Sequence, residues 1–267
     1  MRRFFFFLAM LLACGCASVD VRSQPLPPAS TFTPSPTRTP VPADTGWQPA
    51  GDGVEIRELD VAHQLRRDRL FIARVHPGRV TFRVRYDPIR PLRVGQWLAG
   101  DGARLAVNGG FFDLENRALG LLIADGVPFG QTYVDLGGLF GVREGRVQVR
   151  SLIVQPYTPG EAFDQMVQSF PTLLVDGAVN AEIRDDGRIA PRAVAGVDRQ
   201  GRVVFLVSPR PTFSVAGLAA WLARSDLDLD SALNLDGGTS SGLLVRTGNG
   251  TWGVDSWVPV PAVIEVR

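Results

Sequence analysis

Residues 234 to 241 read Asn-Leu-Asp-Gly-Gly-Thr-Ser-Ser and follow an apolar run that ends at Leu233. The segment sets one carboxylate, Asp236, between the carboxamide of Asn234 and the hydroxyls of Thr239, Ser240 and Ser241. A carboxylate can accept a proton or balance a developing positive charge, and Gly237 and Gly238 would let the backbone come close to a ligand. An Asp-Gly pair is also a common hairpin turn. That reading does not require the flanking carboxamide and hydroxyls, and no short alternating partner strand follows, which favours a functional loop. Asn108-Gly109-Gly110, in Ala-Val-Asn-Gly-Gly-Phe-Phe, repeats the arrangement in brief. Each asparagine offers a donor and an acceptor, although either could equally close the end of a strand.

Other chemistries find less support. The two histidines, His63 and His76, are far in sequence from these segments, so no acyl-transfer triad forms around them. Both cysteines, Cys14 and Cys16, lie at the N-terminus, which leaves the body without a thiolate nucleophile, a disulfide or a cysteine metal site. The acidic run Arg-Ser-Asp-Leu-Asp-Leu-Asp-Ser (224 to 231) lacks the glycine and terminal glutamate of a calcium loop. No metal and no cofactor are expected. A formal net charge of +1 points to no nucleic-acid partner, and the 28 basic side chains are all arginine, so no single arginine stands out by itself.

The elements that must position these residues are short strands. Val80, Phe82, Val84 and Tyr86 alternate with Thr81, Arg83 and Arg85, the period of a strand with one wet face. Turn signals recur at Asp125-Gly126, Glu144-Gly145, Asp176-Gly177 and Asp198 to Gly201, each between apolar runs. Helical spacing is scarce: Val94, Trp97 and Leu98 share one face, as do Leu218, Trp221 and Leu222. The pattern predicts an α+β fold, a single domain of mostly antiparallel, hairpin-rich sheet with a few packed helices. Both helices lead through aspartate-containing residues into an apolar strand that stops at Asn and then Gly-Gly. If those two strands pair in one sheet, Asn108 to Gly110 and Asn234 to Gly238 emerge at the same edge.

The N-terminus carries Arg2 and Arg3, an apolar run, and Leu11-Leu12-Ala13-Cys14. This pattern is similar to a lipoprotein leader, with Cys14, or second Cys16, as the lipidated residue. Residues 17–46 are rich in Pro, Thr and Ser and read as an extended tether, with the folded domain at 47–267. The expected location is extracytoplasmic, on a membrane through the lipid. An unused leader site would instead give a secreted protein. Oligomeric state has no signature here.

The segments AVNGGFFD (106 to 113), LGLLIADG (119 to 126), FPTLLVDG (170 to 177), PRAVAGVDRQGRVVFLV (191 to 207) and ALNLDGGTSSGLLV (232 to 245) resemble, in order and spacing, the phosphodiester glycosidase family. The resemblance runs over roughly residues 55 to 267. It implies hydrolysis of a sugar-1-phosphodiester at the anomeric carbon, with a carbohydrate or glycopolymer as substrate. A phosphomonoester leaves with a conjugate-acid pKa of about 6, so a positive clamp can replace much of a general acid's work, and one carboxylate suffices where other glycosidases use two. The resemblance implies Asp236 as the base or transition-state stabiliser, Arg192 as a fork on phosphate oxygens, and Asn108 as a third catalytic group. Gly109, Gly110, Asn234, Gly237, Gly238, Thr239 and Ser240 are implied substrate contacts. Arg192-Ala193-Val194-Ala195 stands where the family commonly has Arg-Thr-Ala, and Thr239 replaces a frequent third glycine, which bears on substrate range. A non-catalytic envelope lipoprotein that binds polysaccharide in the same cleft is the alternative, and Trp252 and Trp257 could stack on sugars in either case.

Overall fold

The computed structural model describes residues 42–100 and 102–267. Cys14, Cys16, the leader and most of the tether lie outside the described residues. Within residues 42–46, assigned to the tether by composition, Asp44 bridges Leu59 and its carboxylate pairs with Arg57 at 2.6 Å. The domain therefore begins before Trp47, because a buried arginine recruits an acid from the preceding segment.

Every described strand pairing is antiparallel, and the strands form three sheets. The largest runs, in spatial order, Gln48–Pro49, Val54–His63, Arg66–Val75, Val203–Phe213, Ala190–Asp198, Leu229–Asn234, Thr172–Val175 and Ala178–Val179. A second sheet holds Val127–Phe129, Leu122–Ala124, Gln165–Ser169, Gly138–Arg143 and Arg146–Ser151. The third holds Gly250–Val254, Leu243–Thr247, Leu105–Asn108, Ala262–Val266 and Phe82–Tyr86. The inner faces of all three meet in one core that includes Ala73, Phe205, Phe140, Val167, Val107 and Ile264.

The outer face of the largest sheet is covered by the helix Val215–Leu222, whose Leu218, Ala219 and Leu222 pack with Ile72, Val194 and Leu206. Its central strands are thus buried on both sides, which explains why Val203 to Val207 reads as unbroken apolar sequence. The helix Val94–Leu98 closes the outer face of the third sheet on Ala106, Leu244 and Val263. Among the described residues there are two α-helices, of five and eight residues. The antiparallel expectation is met, whereas α+β overstates the helix, because each helical stripe is one or two turns long.

Three of the expected hairpins place both turn residues in the left-handed region: Asp125 and Gly126 at φ 50° and 78°, Glu144 and Gly145 at 50° and 74°, Asp176 and Gly177 at 51° and 75°. The fourth, between Ala190–Asp198 and Val203–Phe213, turns through Gly201 at φ 76°. A further hairpin joins Val54–His63 to Arg66–Val75 through Gln64 at φ 53°. It lacks the glycine that would mark it in the sequence.

The two asparagine-terminated strands do not pair with each other. Leu105–Asn108 belongs to the third sheet and Leu229–Asn234 to the largest. The premise of a shared sheet is corrected, because each strand finds partners elsewhere: Leu243–Thr247 and Ala262–Val266 for the first, Ala190–Asp198 and Thr172–Val175 for the second.

Candidate active site

The ends of those strands nevertheless converge. The Asp236 N–H donates to the Gly109 carbonyl at 3.1 Å. The Asn108 carboxamide completes the junction: its Nδ2 donates to the Asp236 carbonyl at 2.8 Å and its Oδ1 accepts the Gly242 N–H at 3.1 Å. Asn108 is fully buried and both ends of its amide are engaged. In this structure Asn108 clamps the two sheets together and positions the Asp236 loop.

The neighbouring glycines divide in the same way. A Cβ on Gly110 would collide with the Gln168 carbonyl, and one on Gly109 would lie 3.0 Å from the Ala262 Cβ, so both positions allow close packing of the strand end on its neighbours. Gly238 has nothing within 4 Å of its Cβ position and a φ of 62°, so it faces open space in a backbone state that favours glycine. The Gly238 and Thr239 amides donate no hydrogen bond among the described residues, which leaves two adjacent donors on the exposed side of the loop. Thr239 is exposed, while Ser240 is buried beneath it.

Arg192 lies opposite this loop. The pairing of Val194 with Asn234 continues as the Leu235 N–H donates to the Ala193 carbonyl at 2.8 Å, which brings Arg192 level with Asp236. Its guanidinium is buried; Nε donates to the Phe213 carbonyl at 3.3 Å and Nη2 to the Arg188 carbonyl at 2.5 Å. Its Nη1 lies 3.9 Å from where a Gly237 Cβ would stand. Among the described residues Arg192 forms no ion pair, and burial pulls its pKa below the usual arginine value, with Asp186 and Asp185 opposing. A buried, permanently charged fork without an ion pair, next to Gly237 on a loop with two free amides, has the chemistry to receive an anion.

Asp236 is half-buried, and burial pushes its pKa up to about 6, opposed by the Ser240 hydroxyl and the Gly237 N–H, which donates to Oδ1 at 2.8 Å. It makes no ion pair with Arg192. A carboxylate raised into this range can take up and release a proton near neutrality. Asn234, also buried, donates from Nδ2 to the Phe170 and Leu235 carbonyls at 2.9 and 2.8 Å, and thereby fixes the segment before Pro171. Its Oδ1 is buried without a partner.

An aromatic cluster that the sequence reading missed lies within reach of the Asp236 charge, which acts on the Tyr133 phenol. Phe111 and Phe170 pack with ring centroids 4.6 Å apart, and Tyr133 meets Phe170 edge-on at 5.7 Å. Tyr133 follows no turn or glycine signature, so nothing local marks it. The two tryptophans separate: the Trp257 backbone N–H donates to the Thr239 carbonyl at 2.8 Å and its side chain is exposed at the rim. Trp252 donates to Glu58 at 2.8 Å and lines a different groove of about 810 Å³, together with Arg104 and Arg246.

Comparison with known proteins places this architecture. A family model described as phosphodiester glycosidase matches residues 101–266. The Escherichia coli (strain K12) protein YigE, itself described as uncharacterized, is 28% identical over 159 residues, which are 56% of this chain and 61% of that protein. The chain thus spans less than two thirds of that relative. In fold, the chain is similar to the catalytic domain of zebrafish N-acetylglucosamine-1-phosphodiester alpha-N-acetylglucosaminidase, auto-inhibited by its pro-peptide, with a TM-score of 0.62 at 19% identity, covering 80% of this chain and 82% of that one. A hypothetical protein from Synechocystis aligns with a TM-score of 0.58 at 15% identity, over 80% and 62% of the two chains. A putative exported protein from Burkholderia pseudomallei aligns at 0.55 and 13%, over 75% and 74%.

Proposed function

The chain belongs to the phosphodiester glycosidase family, and from that membership, which implies a carbohydrate-type substrate, we propose that it hydrolyses sugar-1-phosphodiesters at the anomeric C–O bond. The observation that carries this reading is a buried arginine that forms no ion pair among the described residues, level with a carboxylate whose pKa burial pushes up to about 6 on the facing loop. Arg192 and the amides of Gly238 and Thr239 hold the phosphate. Asp236 accepts a proton from water as the water oxygen bonds to C1. The C1–O bond breaks with its electron pair going to the phosphate oxygen, giving the free sugar and a phosphomonoester. The positive clamp stabilises the charge that gathers on the leaving group, so no second carboxylate is needed.

The leader and tether support an extracytoplasmic placement, with lipid on Cys14 or Cys16 and a cell-envelope glycopolymer as substrate. The deciding experiment is product analysis of N-acetylglucosamine-1-phospho-sugar diesters in ¹⁸O-labelled water. A phosphomonoester free of label supports glycosidic cleavage, because the anomeric oxygen of the released sugar exchanges with water on its own. Label in the phosphate, or no turnover across a panel of sugars, overturns it. The exposed Trp257 at the rim also suits a saccharide-binding module without turnover, which wild-type cleavage of any such diester would exclude.

A further inference from the structure

The hydroxyl of Tyr133 is buried and has no hydrogen-bond partner, although its ring is only half-buried. An unpartnered buried donor costs roughly 1 to 3 kcal/mol, a cost that an acceptor supplied by a ligand reaching the hydroxyl would remove. The position is firmly set. The Tyr133 N–H donates to Gln168 Oε1 at 2.9 Å, its ring lies edge-on to Phe170, and the missing side chains of Gly120 and Gly137 make room for it. Three further buried, unpartnered oxygens, on Ser169, Asn234 and Ser241, belong to the strands and loops around it and around Asp236.

The surroundings divide the site into two sides. Arg192 approaches the Asp236 loop through Pro191 and Phe213, from the largest sheet. Tyr133 approaches with Phe170 and Phe111, backed by Gln168 of the second sheet. Resting on the glycosidase reading above, we propose that Tyr133 is the sugar-side hydrogen-bond donor of the site: its hydroxyl donates to an oxygen of the glycone, which lies against Phe111 and Phe170 while Arg192 holds the phosphate. Burial, with the charge of Asp236 added, pushes the phenol pKa up to about 12. Tyr133 therefore stays protonated at neutral pH and donates rather than attacks.

The test uses the full chain and three probes: N-acetylglucosamine, methyl phosphate, and the methyl diester of N-acetylglucosamine 1-phosphate. Tyr133→Phe keeps the ring and is expected to weaken N-acetylglucosamine binding and raise the diester KM about tenfold, with methyl phosphate binding unchanged and the unfolding midpoint unchanged or higher. Because the chain has three tyrosines, ¹³Cζ-tyrosine labelling gives a second readout on the wild type, independent of the variant's folding. The Tyr133 resonance should shift with N-acetylglucosamine and not with methyl phosphate. Equal losses for sugar and phosphate, or a resonance indifferent to sugar, would overturn the assignment. A wild type that cleaves the diester while Tyr133→Phe matches it defeats this inference alone. A wild type that neither cleaves the diester nor binds the sugar defeats both this inference and the reading beneath it.

Discussion

Asp176-Gly177 and Asp236-Gly237 are the same dipeptide at the ends of two adjacent strands of one sheet. At the first, both residues sit in the left-handed region and the chain reverses into Ala178–Val179, with Asp176 exposed. At the second, Gly237 has φ −111°, Asp236 is not left-handed, and the chain leaves the sheet to meet the end of another. A hairpin satisfies its backbone locally. The Asp236 loop is satisfied by Gly109 and Asn108, from 127 and 128 residues earlier in the chain (236 − 109 and 236 − 108), which frees its outer amides and half-buries its carboxylate. A dipeptide becomes a candidate site here because distant residues take over the work that a turn does for itself.

Four predictions press on this contrast. Asp236→Asn should lower kcat on a sugar-1-phosphodiester by about 10³-fold, in the range of a lost general base, whereas Asp176→Asn should leave it within about twofold. Steady-state hydrolysis of both variants decides; equal losses would erase the distinction. Arg192→Met should cost about 10²-fold in kcat/KM, and Arg192→Lys should restore little, because an ammonium cannot reproduce a planar fork. Saturation curves with diester and with inorganic phosphate would check that the loss follows the anion.

The third concerns pH. The folded pKa of Asp236, about 6, lies above its unfolded value near 3.8, so ionisation destabilises the native state increasingly as pH rises from about 4 to above 6. In wild type, kcat/KM should rise with pH through about 6 as the base ionises. Asp236→Asn should be the more stable protein at pH 7.5 by roughly 2 kcal/mol and lose that margin at pH 4, which denaturant titrations at the two pH values would measure. The smallest effect is expected from alanine at the glycines. Gly177→Ala forces a side chain to φ 75° and should cost about 1 kcal/mol of stability with activity intact. Gly237→Ala meets no such backbone strain but sets a methyl 3.0 Å from the Pro191 carbonyl, next to Arg192, and should lower activity about tenfold while stability changes less.

Much of the local structure was legible beforehand because its causes are local. Alternating apolar residues marked Phe82–Tyr86, and Asp-Gly or Glu-Gly pairs located three tight hairpins. The hairpin through Gln64 was not, since a left-handed glutamine leaves no compositional trace. At the site, the motifs singled out Asp236, Arg192 and both asparagines, but residue type did not separate contact from support. Asn108 carries the same amide whether it touches a sugar or clamps a loop, and only its burial and its hydrogen bonds to Asp236 and Gly242 distinguish the two. Tyr133 was invisible because its significance lies in an absent partner, a property of packing.

By itself the sequence determined the antiparallel habit and the turns, carried the resemblance to the family, and singled out one carboxylate and one arginine as candidates, since periodicity, turn chemistry and motif spacing are written residue by residue. Tertiary structure alone decided that two strands from different sheets end at the same place, that Arg192 is buried there without an ion pair among the described residues, and that the surroundings of Asp236 raise its proton affinity. Burial and the meeting of remote chain segments depend on how whole sheets pack, and no window of neighbouring residues contains that information.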